Sequence, residues 1–278
     1  MSKKLTIKAA LQLAQSRTES LDAQVLLGAV LKVERAYLLA HPEAVLSDDQ
    51  AAQYLSQLER LAAGEPLPYL LGRRAFYDRE FWVSPDVLIP RPETELLVQT
   101  AITWAQKKTK LMAVDVGTGS GALAVTFAAN VPAAHVVAVD VSPAALDIAR
   151  RNAEQQGVSV TFFQGDLLQP LLAANLRFDL LLANLPYIAS DVVLGLDVSC
   201  YEPHLALDGG ADGLDLVRQL LAQAPRLANP GALLLLEIGA DQGAAAADLA
   251  QQTFPQAAVQ IEPDLAGLDR MVRIQLGD

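Results

Sequence analysis

The residues best suited to chemistry stand where apolar runs stop. The run at 178–183 gives way at once to Asn184, Leu185, Pro186 and Tyr187, so that a carboxamide, a proline and a phenol ring share one corner. Such a corner either ends a strand in a simple turn, for which Asn and Pro are suited, or holds something flat and polar. A second run leads into a glycine loop, AVDVGTGSGALAV over 113–125, in which Thr118 and Ser120 separate Gly117, Gly119 and Gly121. These glycines permit a tight turn and a close ligand approach to a helix N-terminus, where backbone N–H groups favour an anion. Asp140 ends the next run, roughly 20 residues on, where α/β nucleotide sites place the carboxylate that binds ribose hydroxyls. The G-x-G-x-G spacing, with Ala122 able to fill the last place of the dinucleotide fingerprint, leaves a nicotinamide dinucleotide open. A loop serving only strand-helix packing is the plainer alternative. Asp166, in FFQGDLL, has a local reading as a turn or helix cap.

The elements that must carry these residues alternate regularly after Lys110. Apolar runs fall at 111–116, 135–141, 158–163, 178–183 and 232–238, with helical patterns between them. The clearest is 142–156, capped by Ser142, started by Pro143 and stopped by Gly157. This predicts an α/β domain with a parallel sheet covered on both faces. The tail breaks the rule: VQIEPD and RMVRIQL are separated by residues 265–269 alone, too few for a helix, so these last strands should pair antiparallel.

The front of the chain is different. Leu11, Ala14, Val25, Leu26, Ala29 and Val30 recur at helical spacing, and Ser47-Asp48-Asp49-Gln50 fits a capping box. After it, Ala51, Tyr54, Leu55, Leu58, Leu61 and Ala62 form one stripe, ended by Gly64 and Pro66. FYDREFWVSPDVLIP reads as a hairpin or extended connector, and IPRPETELLV enters a helix with Pro92 in its first turn. The expected organisation is a helical bundle over 1–73, a hairpin or linker over 74–92, and an α/β domain over 93–278.

Composition narrows the function. A net charge of -11 over 278 residues argues against a broad basic face for nucleic acid, and the lysines at 3, 4 and 8, Arg73 with Arg74, and the lysines at 107, 108 and 110 read as solvated surface. No stretch approaches a bilayer span and the start lacks an apolar signal core, so a cytoplasmic protein without a membrane partner is expected. Cys200, the single cysteine, reads as a small packed side chain. His41, His135 and His204 lie far apart without metal-ligand spacing, so no metal is expected. Arg91, Glu93, Glu202 and His204 read as surface pairing or capping residues.

With Asp115 before the glycines, D-x-G-x-G-x-G resembles the S-adenosylmethionine loop of class I methyltransferases. That likeness implies a Rossmann-like sheet of seven strands with a small N-terminal helical domain. It also places Asp166 near the adenine, with Leu167 covering the ring. Asn184-Leu185-Pro186-Tyr187 resembles the N-P-P-Y or N-[LI]-P-Y corner of enzymes that methylate planar nitrogens. The implied chemistry has the Asn184 side-chain oxygen and the Leu185 carbonyl accept the two hydrogens of an amide, with Pro186 stiffening the turn and Tyr187 packing on the acceptor. Together IPRPETELLV, DVGTGSGALA, NLPYIA, YEPHLALDGGADGL, LLLEIGADQG and DLAGLDRMV resemble the release-factor glutamine methyltransferase family over most of the chain. This implies methylation of the glutamine in the Gly-Gly-Gln motif of class-1 peptide chain release factors, tuning translation termination, with S-adenosylhomocysteine as by-product and the helical part holding the substrate. The family usually has a second proline where Leu185 stands. Adenine-N6 methylation of ribosomal RNA or DNA is the alternative, disfavoured by the acidic charge and by an extra domain that comes first.

Overall fold

The computed structural model describes residues 4–106 and 108–278; Lys3 and Lys107 of the basic clusters lie outside the described residues. The chain divides into two compact units, one ending at Arg73 and the other running from Arg74 to Asp278.

The first unit is helical: α1 (Ile7–Ala14), α2 (Ser20–Leu31), α3 (Arg35–Ala40), α4 (Asp48–Ala62) and α5 (Leu67–Leu71). The capping box forms as the sequence requires. Gln50 N–H donates to Ser47 Oγ at 3.2 Å and Ser47 N–H to Gln50 Oε1 at 2.9 Å, so two free donors of α4 are satisfied. Tyr54, Leu58 and Leu61 of the stripe are buried against Ala10 and Ala14 of α1 and Leu26, Leu27 and Val30 of α2. Ala62, at the end of α4, is exposed.

The second unit opens with the hairpin β1 (Arg73–Phe76) and β2 (Arg79–Trp82), then a short 3₁₀ turn (Pro92–Thr94) leading into α6 (Glu95–Ala105). Strand and helix then alternate: β3 (Leu111–Val116), α7 (Ala122–Asn130), β4 (Ala134–Asp140), α8 (Pro143–Gln156), β5 (Thr161–Gln164), α9 (Gln169–Ala174) and β6 (Phe178–Ala183). After α10 (Ser190–Val193) come α11 (Asp215–Gln223), β7 (Ala228–Glu237), α12 (Gly243–Thr253), β8 (Ala258–Pro263) and β9 (Asp269–Gln275). The sheet has seven strands in the order β5-β4-β3-β6-β7-β9-β8. All neighbours are parallel except those of β9, which lies between β7 and β8 and runs antiparallel to both. This is the Rossmann-like arrangement expected.

Strand burial explains the unbroken apolar runs. Leu181 and Ala183 of β6 join Val114, Val116 and Leu234 on one face, under α11 and α12. Leu180 and Leu182 join Ala113, Ala138 and Leu235 on the other, under α6 and α7 with Phe76 and Phe81 of the hairpin. A strand covered on both sides has no use for alternation. Two strand starts differ by more than one residue from the sequence reading. β5 begins at Thr161 rather than 158, because Gly157 takes the left-handed conformation and Val158 N–H returns to Ala153 O at 3.1 Å, completing the α8 cap. β7 begins at Ala228 rather than 232, its register against β6 shifting between Phe178 and Leu180.

Candidate active site

Because β3 pairs with β4 on one side and β6 on the other, the strand order reverses there and the C-terminal ends of these strands open a crevice, the usual ligand position in such sheets. A cavity of about 300 Å³ fills it. Its wall takes Gly117 to Ser120 from the loop after β3, Asp140 from β4, Gly165 to Leu167 after β5 and Asn184 to Pro186 after β6. Residues from 86–90 and Pro203 with Leu205 complete it.

The glycine loop is held by the end of β4. Gly117 and Thr118 N–H groups both donate to Val139 O, at 2.9 and 3.0 Å, and Gly119 N–H donates to Asp140 Oδ2 at 2.8 Å. These donors are therefore engaged by β4, and the anion cradle suggested by the glycines does not form from them. Gly121 stands at the start of α7 with φ +81°, where an added Cβ would lie 3.1 Å from Ala149 Cβ. It is absent from the cavity wall, and its place in the site is to let α7 and α8 approach.

The charged residues on the largely apolar wall are all carboxylates. Asp86, Asp115, Asp140 and Asp166 line it, and no Lys, Arg or His does among the described residues. Asp115 is fully buried; its Oδ2 accepts from Thr118 Oγ1 at 2.6 Å and Ala124 N at 3.1 Å, while Oδ1 has no partner. Burial, above all, pushes its carboxyl up to about 7. Asp140 Oδ1 accepts from Ser142 N–H at 2.9 Å and the Val141 N–H also reaches the carboxylate, so three backbone donors leave part of its acceptor capacity free. Burial raises its pKa against the pull of these bonds. Asp166 is exposed and accepts from Gln169 Nε2 at 3.2 Å, a turn role that coexists with its place on the wall. Leu167 is buried beside it in the left-handed conformation, φ +47°, an uncommon state for leucine and a mark of local constraint.

The corner after β6 lies against the glycine loop, since Val116 pairs with Ala183. Asn184 Nδ2 donates to Thr94 Oγ1 at 2.9 Å, which fixes the carboxamide and leaves Oδ1 without a hydrogen bond among the described residues. Leu185 is buried, and its Cδ2 would be 3.0 Å from a Cβ on Gly117, so its side chain fills the space between the two loops. Tyr187 differs from the expectation. It is not on the cavity wall; its hydroxyl donates to Glu237 Oε1 at 3.3 Å, and burial, then the Glu237 charge, pushes its pKa to about 12.

Some expectations need correction. Arg91 and Glu202 do pair, at 2.5 Å, but not on the surface: the Glu202 side chain is 1% exposed and also accepts from Ile89 N–H at 3.2 Å. Cys200 is exposed rather than packed. His204 is exposed, in keeping with its reading as a surface residue. Thr94, Glu237 and Gln242 were missed. For Glu237 the signal was a lone charge ending LLLLE; for Thr94, a hydroxyl inside PRPETE, there was none.

Residues 5–72 match the family model described as PrmC N-terminal domain, and residues 113–196 match the one described as Methyltransferase domain. A protein of Moorella thermoacetica named release factor glutamine methyltransferase is 45% identical over 253 residues, covering 90% of this chain and 89% of that one. The chain belongs to the release factor glutamine methyltransferase family. Relatives of the same name in Xylella fastidiosa, 42% identical over 265 residues and 95% of both chains, and in Bacillus subtilis, 38% identical over 266 residues with 94% and 92% covered, agree. Among solved structures, the Thermus thermophilus 16S rRNA N2 G1207 methyltransferase has a TM-score of 0.55 at 16% identity over 74% of this chain and 50% of that one. The Lactobacillus delbrueckii ribosomal protein L11 methylase has 0.50 at 21%, over 70% and 84%. These two support the methyltransferase fold alone. No helix among the described residues is long and apolar enough to cross a membrane.

Proposed function

We propose that this family member transfers a methyl group from S-adenosylmethionine to the side-chain amide nitrogen of the glutamine in the Gly-Gly-Gln motif of class-1 release factors, leaving S-adenosylhomocysteine and releasing one amide proton to solvent. The observation that carries the reading is the pairing of an acidic, cation-free cavity with an asparagine whose carboxamide is tied at one end and open at the other.

The charge of the cavity wall supports this cofactor. S-adenosylmethionine is cationic at sulfur and at its ammonium group and anionic at its carboxylate, with a single net positive charge, and its transferable methyl sits on the positively charged sulfur. Four aspartates with no basic neighbour, one carrying a buried oxygen without a partner, suit such a ligand and oppose the pyrophosphate of a dinucleotide. The engaged N–H groups of Gly117, Thr118 and Gly119 argue the same way. Asp140 would take the ribose hydroxyls on its free lone pairs, while Leu167 and Asp166 would border the adenine.

An amide nitrogen is a weak nucleophile because its lone pair is delocalised into the carbonyl. Asn184 Oδ1 and the Leu185 carbonyl would accept its two hydrogens, so that its lone pair faces the methyl group; position replaces a strong base. Pro186 keeps the corner stiff and Leu185 keeps it against Gly117. The helical unit is proposed to hold the release factor, and the cytosol, where release factors meet ribosomes, is the proposed compartment.

The test offers labelled S-adenosylmethionine with purified release factor, its Gly-Gly-Gln glutamine-to-alanine variant, or ribosomal RNA. Label in the intact release factor alone is expected. Label in RNA would favour methylation of adenine, whose exocyclic amine also presents two hydrogens in a plane.

A further inference from the structure

Glu237 ends β7 after four leucines, and only 1% of its surface is exposed. It does not line the cavity. A carboxyl there is costly, since burial pushes it up to about 7 and Oε2 has no partner within hydrogen-bond distance. Nor is it neutralised by contact with a cation: Arg270, the nearest basic influence, directs Nε and Nη2 to Asp264 Oδ2 and Nη1 to Ile238 O. What Glu237 does hold is the corner. Its Oε1 receives the Tyr187 hydroxyl, and the Thr94 hydroxyl interacts with the same carboxyl while Thr94 Oγ1 accepts from Asn184 Nδ2 at 2.9 Å.

The rest of the segment braces the corner's backbone. Gln242 Nε2 donates to Tyr187 O at 2.9 Å and to Asp212 O at 3.2 Å, and Gly239 N–H donates to Gln242 Oε1 at 2.8 Å. Gly213 approaches so closely that a Cβ on it would lie 2.1 Å from Tyr187 O, and one on Gly209 2.6 Å from Pro186 O.

We propose that Glu237 is a positioning residue for methyl transfer: through Thr94 on one side and Tyr187 on the other, it sets the direction in which the Asn184 carboxamide and the corner carbonyls point. This rests on the role given to Asn184 above. An acceptor oxygen that can turn away leaves the amide nitrogen free to rotate off the line of transfer, which lowers turnover without touching the cofactor. An acid serves here because the two hydroxyls need an acceptor that apolar side chains lack.

The experiment uses the full chain with release factor as acceptor, comparing wild type with Glu237→Leu, Glu237→Gln, Thr94→Val and Glu237→Leu combined with Thr94→Val. Glu237→Leu is expected to lower kcat about tenfold, with KM for release factor and the dissociation constant for S-adenosylmethionine within about twofold of wild type. Glu237→Gln, which keeps the size and one acceptor oxygen, should restore most of kcat. The double variant should be no slower than the worse single one, since both break the same connection. Wild-type kcat in Glu237→Leu, or additive losses, would overturn the proposal. Should Glu237→Leu fail to fold, Thr94→Val and Tyr187→Phe carry the same test, each expected to lower kcat with the dissociation constant for S-adenosylmethionine within about twofold of wild type, and wild-type kcat in both overturning the proposal. A readout independent of substrate is the Asn184 side-chain amide resonance in protein labelled with ¹⁵N at asparagine. It should move in Glu237→Leu and in Thr94→Val, and an unmoved signal in Glu237→Leu overturns the proposal even if wild type methylates something other than release factor. Absence of label in release factor with the resonance moving would instead sink the substrate assignment alone.

Discussion

Replacing Asp140 with asparagine separates its two jobs. The carboxylate takes Gly119 N–H at 2.8 Å and Ser142 N–H at 2.9 Å, so it shapes the loop, and its remaining lone pairs are assigned to the ribose hydroxyls. Asparagine keeps one acceptor oxygen and turns an NH₂ group against the other backbone donor. Orphaning one partly buried N–H costs about 1–2 kcal/mol of folding stability, present with or without ligand. The loss of a charged acceptor for hydroxyls costs about 1.5–3 kcal/mol of binding, or roughly 10- to 100-fold in dissociation constant. Titration calorimetry with S-adenosylmethionine and S-adenosylhomocysteine should record this weakening equally for both, because they share the ribose, and thermal denaturation should record the smaller stability loss. Unchanged affinity would remove Asp140 from the site. Weakening of S-adenosylmethionine alone would mean that Asp140 acts on the sulfonium charge, refuting the ribose assignment.

Gly117→Ala, at φ +72° with a Cβ 3.0 Å from Leu185 Cδ2, should lose kcat about tenfold more than Gly119→Ala, where φ is +52° but nothing lies within 4 Å; equal kinetic losses would mean that only strain matters. Asn152 is fully buried and joins Trp82 N and O, at 2.7 and 3.0 Å, to Ser120 O at 2.8 Å, so Asn152→Ala should cost about 2–3 kcal/mol in denaturant unfolding, and a loss below 0.5 would contradict that accounting. Burial raises Glu237 from an ordinary 4.5 to about 7, so the folded state binds its proton more tightly and stability is lost as pH rises from 4.5 through 7. Glu237→Gln lacks this loss and should gain about 3 kcal/mol on wild type between pH 4.5 and pH 8, whereas parallel stability profiles would show that the acid is not strained.

The site was legible where chemistry and backbone geometry need particular residue types. Gly117 and Gly119, with φ of +72° and +52° in one loop, an aspartate ending β4 and an Asn-Leu-Pro break after β6 point to one crevice because parallel strands align their ends. Less legible was anything decided by partners distant in the chain. Thr94 meets Asn184 across 90 residues and Glu237 meets Tyr187 across 50, and no local pattern records such meetings. For Tyr187 its sequence neighbours could not show that a buried carboxyl holds its hydroxyl. Similarly, the glycine spacing admitted a dinucleotide until the engaged N–H groups argued against one. The start of β5 was misread because Val158 is apolar in sequence but belongs to the cap of the preceding helix.

The most direct trial of the account is mass-spectrometric mapping of release factor after incubation with S-adenosylmethionine and either wild type or Asn184→Ala. Wild type should add one methyl, on the glutamine of Gly-Gly-Gln; Asn184→Ala should add none while binding S-adenosylmethionine within a few-fold of wild type. Strong methylation by Asn184→Ala, or a methyl elsewhere on the substrate, would contradict it.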